Sequence, residues 1–406
     1  MKRRDIIRNL SVLPFLGGIF SRIVVPETAM AAPVSAKRDL FKELGVRTFI
    51  NARGTITFMT GSLMHDYVLD TIRSSSKDFC MIDELQDKVG EKIASMVHAE
   101  AATVTSGAFA ALTLGMAGIL TGMDPKKAEQ LPRLEENGMK SEVIVQKGHQ
   151  IHYNHAFINC GAKLVYVETA ADVDAAVNEK TAAMHFLNCN ALEGRIMHEE
   201  WLALAAKHQL PAIIDIAADV PPVSNLWRFN DMGFSVVAIS GGKAIRGPQS
   251  AGLLMGKKDI IAASRLSASP RGNTIGRGMK VNKEEILGMY VALERYINQD
   301  HEKEWKQWER RVEVIANAAR SIPGVLTEVS VPPIANHTPT LKISWDTQKI
   351  HTSGTDLLQA LSKGSPSIEA YGGQPDSITV SPWMMLPGQE RIVASRIKEE
   401  LAKASA

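Results

Sequence analysis

Three cysteines in 406 residues, Cys80, Cys160 and Cys189, are too few and too scattered for a disulfide framework or a zinc site. A charge excess of one sign is also missing. Lys and Arg total 46 against 44 Asp and Glu, and no basic block is interleaved with aromatics, so nucleic-acid binding has no electrostatic support. Past the N-terminus no apolar run is long enough to span a bilayer, and the chain shows no internal repeat and no low-complexity linker. What is present is an ordinary globular balance, 45% hydrophobic and 22% charged, in a chain long enough for about two domains or one large two-lobed subunit.

The first residues read as a leader. Lys2, Arg3, Arg4 and Arg8 precede a modestly apolar run from Leu10 to Phe20, Ala29, Met30 and Ala31 supply small residues for a cleavage site, and RRDII resembles a twin-arginine export signal. Residues 1–31 are therefore expected to direct export, to the periplasm if the signal is used and leaving a cytoplasmic protein if it is not. They hold five basic and two acidic side chains. Residues 32–406 carry 41 Lys and Arg against 42 Asp and Glu, so the slight basicity belongs to the leader.

Along the rest of the chain, strand-like runs at 143–146, 163–167, 182–188, 211–217 and 235–240 alternate with helical patterns such as 172–178 and 198–208. Strands alternating with helices predict an α/β fold whose large lobe has a mostly parallel sheet covered on both faces. From Asn282 the pattern changes to one long charged helix, then alternating segments TLKISW and SITVSP and a terminal helix, which predicts a smaller C-terminal α+β lobe. The expected division is an N-terminal segment at 32–70, a large domain at 71–285 and a small domain at 286–406.

The stretch ISGGKAIRGPQSAGLLMG, 239–256, places Lys243 after an apolar strand in a loop of little side-chain bulk. Desolvation and close backbone packing lower the cost of a neutral amine, which suits a Schiff-base lysine that later serves as a base. The plainer reading is a surface lysine after a tight turn. Asp215 ends an apolar run 28 residues earlier, so in a parallel sheet both residues can sit at the carboxyl ends of strands, where such folds bind ligands. There an aspartate would pair with a protonated ring nitrogen, and Ala217 is small enough for a flat ring to lie against it. In TVTSGAFAALTLGMAGIL, 103–120, Ser106, Gly107 and Ala108 open a small-residue helix whose free N–H groups form an anion cup suited to phosphate, to which Ser240 could add a contact. A simple serine N-cap is the alternative.

A serine-glycine cup, then a strand-end aspartate, then a lysine after Ser-Gly-x resembles the pyridoxal 5'-phosphate (PLP) enzymes of the aspartate aminotransferase type, fold type I. SGGKAIRGPQSAGLL is similar to the lysine loop of the selenocysteine synthase (L-seryl-tRNA(Sec) selenium transferase) relatives, and INARGTITFMTGS at 50–62 to their opening segment. GMKSEVIVQKGHQIHYNHA at 138–156 and IGRGMKVNKEEILG at 275–288 resemble the branch that includes D-glucosaminate-6-phosphate ammonia-lyase. The resemblance runs from about Leu40 to the C-terminus. It implies PLP as cofactor, Lys243 as its attachment point, Asp215 as partner of the pyridine nitrogen and Ser106, Gly107 and Ala108 as phosphate cup. It also implies an aromatic over the exposed ring face, for which His149 is the first candidate and Tyr153 the second, and a site at the interface of a homodimer or larger symmetric oligomer.

For the substrate, Arg53, Arg246, Arg271, Arg277 and Lys280 are candidate anchors of a carboxylate or phosphate, and each could equally be a surface charge. No tRNA-binding module precedes the cofactor lobe, so the expected substrate is a small amino acid or amino-sugar acid. The expected reaction is an α,β-elimination that releases ammonia and a 2-oxo product, with Lys243 as base. Aminotransfer, aldol cleavage and racemisation share the same first step. Two further classes stay open: a non-catalytic relative that only binds a ligand, and a serine hydrolase suggested by the S-x-x-K spacing of Ser240 and Lys243, although the S-D-N and K-T-G companions of that motif are absent. HQIH and HYNH have no acidic partner that completes a ligand set, so no metal is expected.

Overall fold

The computed structural model describes Arg38–Ser405, so the leader at 1–31 lies outside the described residues. The chain divides into two units at Thr48/Phe49. In the first, the described residues hold one short helix, Leu40–Glu43, N-capped by Asp39.

The second unit contains thirteen strands: β1 (Phe49–Asn51), β2 (Ala101–Thr105), β3 (Glu142–Gln146), β4 (Lys163–Val167), β5 (Thr181–Leu187), β6 (Ala212–Asp215), β7 (Val236–Ser240), β8 (Gly252–Gly256), β9 (Val325–Ser330), β10 (Thr340–Trp345), β11 (Ser367–Glu369), β12 (Tyr371–Gln374) and β13 (Ser377–Val380). Seven form one sheet in the order β2-β8-β7-β6-β5-β3-β4. It is parallel from β7 to β4, while β8 runs antiparallel to both β7 and β2. The five expected strands are all present, 163–167 with the same bounds and the others differing by one or two residues at an end. The sequence pattern does not pick out β2 and β8, which flank the glycine-rich and serine-rich turns. The outer edge of β2 is closed by a buried side chain: the Gln86 amide donates to Val104 O and its oxygen accepts from Val104 N, at 2.8 and 3.1 Å.

Both faces of this sheet are covered, which is why β5 reads as a continuous buried run, TAAMHFL. One face packs on a core that includes Ile144, Phe186, Ile214 and Trp201, the other on the helix Ala108–Thr121 through Val145, Ile213 and Val236. That helix is buried over almost its whole length because its small residues admit close neighbours. A Cβ at Gly115 would lie 3.0 Å from Val236 Cγ1, and one at Gly118 would lie 2.6 Å from Ile260 O on the helix Lys258–Leu266.

The C-terminal part carries an antiparallel sheet, β12-β13-β10-β9, under the helices His301–Arg320 and Gln389–Ala404. The long charged helix expected from Asn282 is two helices, Lys283–Asn298 and His301–Arg320. They are separated where Asp300 turns extended and accepts from Lys303 N at 2.9 Å as an N-cap. The first of them packs its apolar side, Ile286, Met289 and Leu293, into the large-sheet core, whereas the second contributes Val312, Ile315 and Ala319 to the small-sheet core. β1 pairs in parallel with β11, so Ile50 and Ala52 also belong to the C-terminal core.

Candidate active site

Three strand ends place the chemistry. Asp215 closes β6 in register with Leu187 on β5 and Ala238 on β7, and Ser240 closes β7 opposite Gly252. Thr105 at the end of β2 also faces Gly252, which brings Ser106 to the same rim. Gly107 then N-caps the helix Ala108–Thr121 at φ +91, a left-handed conformation that admits glycine and strains most other residues. The N–H groups of this first turn lie outside the helix's own ladder and are available to an anion.

The lysine loop is closed on itself. Gly241 N donates to Ala251 O and Gly247 N to Gly241 O, both at 2.9 Å, and Gly242 is packed so tightly that a Cβ there would lie 2.5 Å from Gln249 Cα. Ser62 holds the loop from the other side, donating to Gly242 O through its N–H at 3.1 Å and its hydroxyl at 3.0 Å. Lys243 is thereby presented, half-buried, to a cavity of about 430 Å³ whose wall also includes Ser106, Gly107, Ala108, Asp215, Ala217 and Ser240.

The Asp215 carboxyl is buried, which pushes its pKa up, against the opposing effects of the Ala217 N–H, bonded at 2.8 Å, and the Lys243 charge. A buried carboxylate at one end, an amine in the middle and free N–H groups at the other fit a molecule with a basic ring nitrogen, an aldehyde and a phosphate. Close behind lies Asp219, fully buried, with neither oxygen in a well-aligned hydrogen bond. Burial and the neighbouring Asp215 push its carboxyl up to about 7, with the Asn188 amide and Lys243 opposing.

A second cavity of about 520 Å³ shares Thr55, Thr57, Tyr153 and Lys243 with the first and extends past Arg53 to Tyr371, Ser381 and Trp383. Sequence reasoning missed these last three and Thr340 and Asn336, which approach from the C-terminal part. Thr55 and Thr57 lie inside the segment 50–62, where nothing distinguishes them from their neighbours. No pattern in the sequence marks Asn336 or Trp383 as facing Lys243.

The expectation for His149 is corrected. His149 is fully buried and lines neither cavity. The short 3-10 turn Lys147–His149 turns its ring inward, where Nδ1 accepts from Leu187 N at 3.2 Å and the ring meets Phe186 edge-on at 4.5 Å. Burial and the nearby His198 push its pKa down to about 4, which suits a neutral acceptor at the end of β5. Tyr153, 60% exposed, is the aromatic that lines both cavities.

Of the five cationic anchors, the described chain brings only Arg53 to a cavity wall beside Lys243. Arg246, left-handed at φ +56, donates from Nε to Leu63 O at 2.7 Å and lies near Glu304 and Tyr67. Arg271 is engaged with Asp83 at 2.8 Å, and Arg277 and Lys280 lie exposed on the segment that follows it. None of these four lines either cavity.

This architecture is that of the fold type I PLP enzymes. The serine palmitoyltransferase of S. paucimobilis, solved with bound PLP, has the same fold at a TM-score of 0.56, with 11% identity over 88% of this chain and 89% of that one. A solved D-glucosaminate-6-phosphate ammonia-lyase matches at a TM-score of 0.79, 24% identical, over 91% of this chain and 100% of that one. In sequence, the chain is similar to the D-glucosaminate-6-phosphate ammonia lyase of Salmonella typhimurium, 25% identical over 374 residues, 89% of this chain and 97% of the relative. It is also similar to a 5'-C-glycyluridine monooxygenase-decarboxylase of a Streptomyces species, 25% identical over 89% of this chain and 92% of that relative. The L-seryl-tRNA(Sec) selenium transferase of Desulfovibrio desulfuricans matches at 23% over 69% of this chain and 62% of its own length. No family model matches the chain.

Proposed function

We propose that this protein is a PLP-dependent lyase that eliminates across the α and β carbons of a small amino acid or amino-sugar acid and releases ammonia. The observation that carries the reading is the sharing of one cavity by Lys243, Asp215 and the Ser106–Ala108 turn. Similarity to an ammonia lyase over 97% of that relative's length supports the reaction class. When bound, PLP supplies the electron sink that makes a Cα proton removable.

The residues divide the remaining work. Ser106, Gly107 and Ala108 bind the phosphate through helix-terminal N–H groups and a hydroxyl, with Ser240 beside them. Asp215 would accept from the ring N–H and so keep that nitrogen charged. Ala217 would leave room for a flat ring, and Tyr153, which lines the same cavity, could cover it. Lys243 Nζ anchors the cofactor. Its free amine would take the Cα proton and could hand it to the departing β-hydroxyl, so that water leaves. Hydrolysis of the resulting enamine returns that water and yields a 2-oxo acid and ammonia.

Ammonia and 2-oxo acid should form from an amino-sugar acid without any added keto acceptor. 2-Oxo acid formed only in the presence of an acceptor, with no ammonia, would make the protein an aminotransferase and contradict the lyase. The protein is further read as a homodimer, a reading supported by the bare apolar side chains Phe58, Phe79 and Met81. A monomer by light scattering would contradict it. Export through residues 1–31 is supported by the paired arginines and the small-residue site, and none of the described helices is long and apolar enough to cross a membrane. An exported form should begin at Ala32, and recovery of uncleaved chain from the cytoplasm alone would contradict the export.

A further inference from the structure

Two carboxyls stand on one buried turn at the end of β6. Asp215 is 5% exposed and Asp219 1%, so both are enclosed by their own chain. The turn between them is fixed at each step: Ile216 N donates to Ala238 O at 2.9 Å, Ala217 N to Asp215 Oδ1 at 2.8 Å and Asp219 N to Ile216 O at 3.1 Å. Asn336 N donates to Ala218 O at 2.9 Å, and the Asn225 amide donates to Asp219 O at 2.6 Å. The Asp219 carboxyl has no well-aligned partner, although its backbone N–H and C=O both do.

The neighbouring donor is Asn188, in the turn after β5. His198, the first residue of the helix His198–Lys207, lies with Nε2 2.7 Å from Asn188 Oδ1. A carboxamide oxygen can only accept, so that nitrogen carries the proton and the Asn188 amide N–H groups are left for Asp219. The rings of Phe186 and Phe229, with centroids at 4.4 and 5.6 Å, hold the imidazole in place.

The charges at this turn do not balance. The titratable groups that face Asp219 are Asp215 on β6, Lys243 on the lysine loop and Cys189 beside Asn188, while the helix Asn225–Met232 brings it the neutral Asn225. One lysine thus faces two buried carboxyls, and adjacent buried anions disfavour each other's ionisation. One of the two therefore keeps a proton. It is Asp219, because Asp215 alone accepts a backbone N–H, from Ala217. Burial first and Asp215 second push the Asp219 pKa up, in agreement with this assignment. A cation in contact with Asp215 removes the need for that proton, and the Asn188 amide then meets a carboxylate.

We propose that Asp219 is a positioning residue of the cofactor site, a carboxyl that is protonated before the cofactor binds and loses its proton to solvent when a ring N–H cation settles against Asp215. This rests on the cofactor placement proposed above.

The test is a calorimetric titration of the full chain, freed of cofactor, with PLP at about pH 6.5 in two buffers of different ionisation enthalpy, which counts the protons released. The wild type should release about half a proton more than Asp219→Asn with PLP, and no more than that variant with the carbocyclic analogue whose ring nitrogen is replaced by carbon. Equal release by the two proteins with PLP, or the same difference with the analogue, overturns the proposal. The wild type alone gives a second readout should the variant not fold. In infrared difference spectra with isotope-labelled aspartate, PLP should abolish a protonated carboxyl band and the analogue should leave it. No such band before binding, or a band that PLP leaves unchanged, overturns the proposal even where borohydride fixes the cofactor to Lys243. If borohydride fixes nothing to Lys243, the cofactor placement has failed and the proposal falls with it.

Discussion

Lys243 owes its position to the glycines around it, since neither Gly241 nor Gly242 has space for a side chain against Met289 and Gln249. Asp215 is different in kind, a strand-end carboxyl whose burial must be compensated by whatever cation the cavity receives. Behind it, Asp219 offers a prediction independent of any substrate. Its folded pKa of about 7 lies above the ordinary 3.8, so the folded protein holds a proton that the unfolded chain releases. That contribution is complete below about pH 4 and is lost as the pH rises through 7. Asp219→Asn should therefore flatten the decline in melting temperature between about pH 4 and 7 and stabilise the protein at the upper end, on the order of 2 kcal/mol. Parallel curves for the two proteins would contradict this. At this scale Lys243, Asp215 and Ser106 were legible because each sits beside a glycine or a strand end that the sequence displays. His149 reads ahead of Tyr153 in the sequence, whereas Tyr153 is the ring at the cavity, because a 3-10 turn decides which ring faces it and leaves no periodic trace.

The helix Ala108–Thr121 joins the phosphate cup to the core, and its sequence reads as small and apolar without saying how close its neighbours come. Gly118 abuts Ser264 and Ile260 O on the adjacent helix, where a Cβ has no room. Gly118→Val should cost about 2 kcal/mol or more in chemical denaturation and loosen cofactor retention, because the cup is the same helix's first turn. Full stability in that variant would mean that the two helices separate without cost. The strand-helix alternation of 143–240 was legible from its apolar runs. The break at Gln299–Asp300 was not, because charged helical periodicity continues on both sides and the only mark is the Asp300 cap.

At the scale of the whole molecule, one sheet gathers Ser106, Asp215 and Ser240 along a rim, and a second core brings Thr340, Tyr371 and Ser381 opposite them. The α/β character followed from the sequence pattern. The parallel pairing of β1 with β11 did not, because a three-residue strand gives little periodic signal and its partner lies near the other end of the chain. That pairing is what carries Arg53 to the mouth of the site. The central claim is that Lys243 is the residue through which the cofactor is bound. Protein purified with its cofactor should absorb in the visible, and borohydride should abolish that band and leave the reduced cofactor on the peptide containing Lys243. Lys243→Ala should give no fixed cofactor. A colourless protein, or label recovered on another lysine, would contradict the account.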